Sequence, residues 1–310
     1  MSKTPQLIAE ACQNHNGSRS ILKQMIHTAA EAGADYIKIQ AIRSRELTYR
    51  EKFEKGEIDS NGVVSVIKRP YKQEFNRLSK LDLSIDDEAW FVEECKLAGI
   101  KSMITVFTRA AVEQVKDMGF DAVKIASYDC VSHELLKDVK RWWKRIVVST
   151  GATYDHEVKK ASEILSGSNF TFLHCVTIYP TPMEECNLNK MEWLRKLSNS
   201  VGWSDHTLVE QDGIWASKIA LAIGADWIER HFTILDENET KDGPVSITFN
   251  HLKHLREFAD LSLDEKFSII QNEYPDWEKC LSDSNRVLSK QEQLNRDYYR
   301  GRFSGGNSNK

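Results

Sequence analysis

One phrase recurs along this chain, and it limits the available folds more than any other feature. In "EAGADYIKIQ" (31–40), "KLAGIKSMITVF" (96–107), "KDMGFDAVKIAS" (116–127) and "LAIGADWIERHF" (221–232) a helical stretch ends at a glycine: Gly33, Gly99, Gly119 or Gly224. A short β-rich run begins one or two residues later. Glycine at that place fits the left-handed residue just past a helix end. The repeat is too loose for a solenoid. It fits the joint of an α/β protein in which strands alternate with helices around a parallel sheet.

Strands are expected near 6–12, 35–41, 101–107, 122–127, 145–150, 170–175, 200–206 and 226–233, and a helical pattern follows each. In the first helix Ile21, Leu22, Met25, Ile26 and Ala29 recur at three- and four-residue steps, with Ser18 or Ser20 placed to cap it. The others lie near 87–98, 109–118, 133–143, 155–166, 189–198, 211–223 and 249–271. Eight β-then-α units predict an α/β chain folded as a (β/α)8 TIM barrel. An open doubly wound sheet is the alternative, but no G-x-G-x-x-G follows the first strand.

The barrel is expected over residues 1–275, with 43–86 a long charged connection after the second strand. Connections of that length are usually lids or binding loops. Residues 276–310 read as a linker-like C-terminal tail whose last few residues are disordered.

With 310 residues, 41% of them hydrophobic, the chain can bury one large barrel or two modest domains. A net charge of −4 makes no electrostatic case for nucleic acid. No apolar run approaches the roughly 18 residues that a membrane helix needs. The start, "MSKTPQLIAEACQ", has no secretory apolar core. Six scattered cysteines without a C-x-x-C suggest reduced thiols in a cytoplasm.

In such barrels chemistry gathers at the C-terminal ends of the strands, and here those ends are polar. They offer Glu10, Asn14 and His15; Lys38 and Gln40; Thr105; Lys124, Ser127 and Asp129; Ser149; His174, Thr177 and Tyr179; Ser204, Asp205 and His206; Glu229 and His231. Lys38/Gln40, Ser204/His206 and Glu229/His231 are each two apart, so each pair keeps one phase of its strand. That phase should face the barrel axis, where an unpaired charge is costly. An anionic ligand with a metal ion would supply the partners.

Each residue also has a plainer reading. His206 and His231 are metal ligands or hydrogen-bonded structural histidines. His174, beside Cys175 and an apolar run, reads as packed structure. An interior lysine is a Schiff-base nucleophile, a phosphate anchor or a salt-bridge partner. The strand-end serines cap the following helices, bind phosphate oxygens, or both.

Seven ordered stretches carry a resemblance: "IAEACQNHNGS" (8–18), "AGADYIKIQ" (32–40), "VKIASYD" (123–129), "VVSTGA" (147–152), "LHCVTIYPTP" (173–182), "VGWSDHTL" (201–208) and "IERHFT" (228–233). In order and spacing they resemble the sialic acid synthase (N-acetylneuraminate synthase) family over about residues 5–275. A weaker echo, "VLSKQEQLNRDYYRGRF" (287–303), looks like the linker after the family's barrel.

The resemblance implies an enzyme that condenses phosphoenolpyruvate with an N-acetylated amino sugar. The product would be a nonulosonic acid, and phosphate would leave by C–O cleavage. It implies a divalent ion, manganese or magnesium, on His206 and His231, and an essential glutamate at Glu10. Phosphoenolpyruvate contacts fall on Lys38, Thr105, Lys124, Ser127, Ser149 and Ser204. Acceptor-sugar positions fall on Gln40, Asp129, Thr177 and Tyr179, and Asp205 becomes a supporting or helix-starting group.

Three departures touch the acceptor side. The family's C-terminal antifreeze-like domain, which closes over a partner's site in a swapped dimer, is not expected in 276–310. A homodimer, or a second chain supplying a lid, is therefore a possible partner. Asp129 stands where a glutamate is usual and Thr177 where an asparagine is usual. Gly243-Pro244-Val245 replaces the usual "GPD", with Asp242 before it. Competing readings are a non-catalytic sugar-binding or partner subunit, and a Schiff-base aldolase on Lys124.

Overall fold

All four glycine joints adopt the backbone the sequence calls for: φ is +86° at Gly33, +73° at Gly99, +87° at Gly119 and +94° at Gly224. Each turns the chain from a helix into a strand. The computed structural model describes residues 4–282 and 287–304. The last few residues, expected to be disordered, lie outside the described ones.

The strands are β1 Gln6–Cys12, β2 Tyr36–Gln40, β3 Lys101–Val106, β4 Ala122–Ile125, β5 Ile146–Ser149, β6 Phe170–Cys175, β7 Ser200–Asp205 and β8 Trp227–His231. All pair in parallel, and β1 pairs both β2 and β8, so the sheet closes. The helices are α1 Arg19–Glu31, α2 Ile85–Ala98, α3 Arg109–Val115, α4 His133–Trp142, α5 Asp155–Leu165, α6 Lys190–Arg195, α7 Trp215–Ala222, α8 Phe249–Asp260, α9 Leu263–Glu273 and α10 Lys290–Tyr299. This is the expected (β/α)8 barrel. Ser18, not Ser20, caps α1, accepting from the Ile21 amide. The single helix expected over 249–271 is two, because Ser262 and Glu265 form a capping box that starts α9 afresh. Among the described residues no helix is long and apolar enough to cross a membrane.

The barrel interior is built in layers, and the layers place the site. Ile8, Tyr36, Met103, Ala122, Val147, Leu173 and Trp227 form a buried apolar layer. On β7 the same level is Gly202, where a Cβ would lie 2.1 Å from the Trp227 carbonyl oxygen and 2.6 Å from the Trp227 Cβ, so the neighbouring strand leaves no room for a side chain. Two residues further along every strand stand Glu10, Lys38, Thr105, Lys124, Ser149, Cys175, Ser204 and Glu229, all buried. A step of two keeps the same face, so an apolar floor supports a polar layer. The opposite phase, with Ile37, Ile39, Val123, Ile125, Val148 and Trp203, packs outward against the helices.

Two further segments reach the barrel mouth. The 43–86 connection holds a short helix Lys52–Lys55, an antiparallel ribbon of Glu57–Ile58 with Val64–Val66, and a helix Tyr71–Leu78. Its start is fixed by a buried bidentate pair, Arg43 to both oxygens of Glu88 at 2.6 Å. Within the stretch read as a tail, Ser289 and Glu292 form a capping box that opens α10. The Asn295 amide of α10 donates to the Thr177 carbonyl at 2.6 Å. The Tyr299 ring stacks on Tyr128 with centroids 4.8 Å apart. Just beyond, Arg302 pairs with Glu74 of the long connection.

Candidate active site

Above the polar layer opens a cavity of about 660 Å³. Its walls include Glu10, Lys38, Gln40, Thr105, Lys124, Ser127, Ser149, Tyr179, Ser204, His206 and His231. Eleven of the thirteen residues to which the resemblance gives a catalytic, metal or substrate role therefore share one chamber, at the C-terminal ends of the strands.

Its floor is a charged network. Lys124 Nζ lies 2.6 and 2.7 Å from the two carboxylate oxygens of Glu229. Ser204 Oγ donates to Glu229 at 2.8 Å. Lys38 pairs with Glu10, donates to Thr105 Oγ1 at 2.8 Å, and lies 3.7 Å from Glu229. Two lysines thus face two carboxylates, which offsets part of the cost of burying them, while burial still brings Lys38 down to about 7. Burial alone would raise the carboxyl of Glu229, but Lys124 and Lys38 hold it well below the usual range. Glu10 also accepts from the Cys12 amide at 2.6 Å.

The hydroxyls stand on the fourth and fifth strand ends. Ser127 Oγ accepts from the Gly151 amide at 3.1 Å. Glycine is needed there, since a Cβ would sit 2.6 Å from Thr177 Cγ2 and 2.9 Å from Ser127 Oγ. Ser149 Oγ is buried and has no hydrogen-bond partner among the described residues.

The rings of His206 and His231 lie 5.2 Å apart, and Tyr179 meets His206 edge-on at 4.3 Å. Burial depresses the basicity of both imidazoles, and the neighbouring His231 ring lowers that of His206 further. Neutral imidazole is the form that ligates metals. His231 Nδ1 is buried without a partner among the described residues. Cys12 Sγ, a His231 ring nitrogen and an Asp242 carboxylate oxygen lie within 4.8 Å of one another. A divalent ion therefore fits the donors present.

Asp129 and Thr177, expected on the acceptor side, are not among the chamber walls. Asp129 closes a 3-10 turn, Ser127–Asp129, and faces Ser132 Oγ at 3.4 Å. Thr177 is fully buried behind the wall, where its carbonyl takes the bond from Asn295. Asp205 also points away from the chamber: it pairs with Arg230 and accepts from Thr207 and Ser217. It ties the β7 end to β8 on either side of His206. His174 is packed structure, 2.9 Å from the Cys186 carbonyl and against Trp203. His15 is likewise buried structure, accepting from the Gly17 amide, and burial lowers it to about 4.

The sequence reading assigned no role to several wall residues. Glu229 had the right phase on β8 but is the hub of the network. Arg69 and Arg77 come from the long connection, Lys241 and Asp242 from the loop after β8, and Tyr299 and Arg302 from the C-terminal segment.

Comparison with known proteins agrees with this architecture. The profile of the NeuB family matches residues 25–261. The chain is 30% identical to the N,N'-diacetyllegionaminic acid synthase of Campylobacter jejuni, over 82% of this chain and 75% of that protein. It is 26% identical to the pseudaminic acid synthase of Helicobacter pylori, over 83% of this chain and 74% of that one. The crystal structure of N-acetylneuraminic acid (sialic acid) synthetase from Leptospira borgpetersenii superposes with a TM-score of 0.72 at 25% identity, covering 96% of this chain and 91% of that one.

Proposed function

The chain belongs to the NeuB family, and on that premise we propose that it condenses phosphoenolpyruvate with an N-acetylated amino sugar to give a nonulosonic acid and phosphate. The observation that carries the reading is the polar layer. Lys38 and Lys124 stand in it with Thr105, Ser149 and Ser204, and Ser127 sits just above. Phosphoenolpyruvate bears charge on both its carboxylate and its phosphate. Lysines with several hydroxyl donors suit both groups. Ser149 Oγ, with no partner among the described residues, is free to donate to a bound anion.

In the proposed reaction the methylene carbon of phosphoenolpyruvate attacks the aldehyde carbon of the acceptor, and a C–C bond forms. The aldehyde oxygen takes a proton and becomes a hydroxyl. Water adds to C2, and the tetrahedral intermediate expels phosphate by breaking the C2–O bond. The carbonyl left at C2 gives the 2-keto acid. Glu10 reaches this space from β1 and would accept the proton of the water as general base. Glu229 holds Lys124 Nζ by both carboxylate oxygens at the floor of the chamber. To attack a carbonyl, Lys124 Nζ would have to leave its bridge to both oxygens of Glu229, which favours condensation over an aldolase on Lys124.

A divalent ion would be held by His206 and His231, and it would polarise the acceptor aldehyde as a Lewis acid. Gln40 and Tyr179 line the chamber beside these histidines and would contact the acceptor. The test is phosphate release from phosphoenolpyruvate with a panel of acceptors: N-acetylmannosamine, its 6-phosphate, and diacetamido sugars of the legionaminic and pseudaminic type. Release that depends on acceptor, stops with chelator and returns with metal is the expected result. No release with any acceptor, from folded metal-loaded protein, would favour a binding subunit instead.

A further inference from the structure

Cys12 stands where a cysteine should not be comfortable. Its φ is +46°, the left-handed region that penalises a side chain and favours glycine. The register of β1 against β2 shifts between Glu10 and Cys12, which marks a bulge. Bulges near active sites re-aim a side chain. The bulge turns the Cys12 thiol into the chamber, 3.1 Å from Asp242 Oδ2 and 3.3 Å from the Gln40 amide nitrogen. Independently, His231 is 8% exposed and its buried Nδ1 has no partner among the described residues. Sulfur, imidazole nitrogen and carboxylate oxygen lie within 4.8 Å of one another.

We propose that Cys12 and Asp242 ligate the divalent ion together with His231, so that this site binds a thiophilic ion of the zinc or cobalt(II) class in preference to magnesium. The inference rests on the reading that the chamber holds a metal at its histidines. Thiolate ligands select softer ions, whereas magnesium keeps to oxygen. The backbone strain at Cys12 then has a purpose, because glycine would relieve it but would remove the sulfur. Binding releases the thiol proton to solvent.

The test uses the full chain, stripped by chelator and titrated with cobalt(II). The expected spectrum has visible ligand-field bands and a near-ultraviolet thiolate-to-cobalt charge-transfer band. That band should vanish in Cys12→Gly, which suits the backbone at this position and keeps the fold. It should persist in Cys175→Ser, the control for the other thiol near the histidines, 3.8 Å from His206 Nδ1. Zinc affinity, by competition with a chromophoric chelator, should fall about 10²-fold in Cys12→Gly, while magnesium affinity barely moves. Ligand-field bands without the charge-transfer band, or a band that follows Cys175, would overturn the thiolate ligand and leave the metal reading standing. Failure to bind any divalent ion would overturn both.

Discussion

Lys124 on β4 and Glu229 on β8 stand on diametrically opposite strands of the barrel and meet across its axis, at 2.6 and 2.7 Å. This bridge spans the floor of the chamber, so it should matter for stability as well as for chemistry. Lys124→Met leaves a carboxylate buried with Ser204 and the more distant Lys38. Breaking one side of a buried pair costs roughly 3–5 kcal/mol, and the help from Lys38 argues for the lower end. Adding Glu229→Leu should restore most of the loss, though not activity. Urea unfolding of both variants checks this. A double variant no more stable than Lys124→Met would show that the pair does not act as a unit.

Ser149 gives the opposite separation. Its buried hydroxyl has no partner among the described residues, so Ser149→Ala removes no bond seen to hold the fold. Stability should stay level or rise by up to about 1 kcal/mol. If the hydroxyl donates to phosphoenolpyruvate, KM for that substrate should rise about 10-fold or more, since a hydrogen bond to a charged group is worth roughly 1.5–3 kcal/mol. Steady-state kinetics beside a melting curve reads both. A destabilised variant with unchanged KM would sink the assignment.

The barrel was legible because its signals are local and periodic. Glycine joints, two-residue phases and helix caps survive in one dimension, and they placed the inward residues of β2, β7 and β8 correctly. What stayed hidden depends on chain return. Arg69 and Arg77 sit in a connection without periodicity, and Arg302 reaches the chamber because α10 folds back over the mouth. The Ser289/Glu292 capping box was a readable sign of that helix, but nothing local says where a helix docks. Asp129 and Thr177 fall in the right strand-end segments, yet one sits in a 3-10 turn and the other behind Gly151. Motif position fixed their strand level and not the direction of their side chains. Cys12 shows the same limit, since a bulge is invisible until the register with β2 is known.

The docking of α10 is testable by itself. Asn295 Nδ2 bonds the Thr177 carbonyl, so Asn295→Ala leaves a buried acceptor unpaired at a cost of about 1–3 kcal/mol. The effect should be local, because α10 packs over the barrel mouth and not within the sheet. Hydrogen exchange should speed up for amides of 290–299, with β-strand amides unchanged. Equal acceleration throughout would mean that this contact supports the whole barrel.

Glu74 should control the acid limb of stability. Burial raises its carboxyl, but Arg77, with nitrogens 2.9 and 3.1 Å away, and Arg302 outweigh burial and bring it down to about 2. Its ordinary value is near 4.5. The unfolded chain therefore binds the proton more readily than the folded one, so stability rises with pH through this window. The contribution is complete above about pH 4.5 and fades as pH falls towards about 2. Over the full window it amounts to something on the order of 2–3 kcal/mol. Glu74→Gln removes the titration but keeps the shape. Urea midpoints of the native and variant chains should run parallel near neutrality and converge with acid, as the native chain loses what the variant never had. The same loss frees Arg302, so exchange of the segment around it should quicken in acid only in the native chain. Curves that stay parallel down to about pH 3 would place the acid limb on other carboxylates.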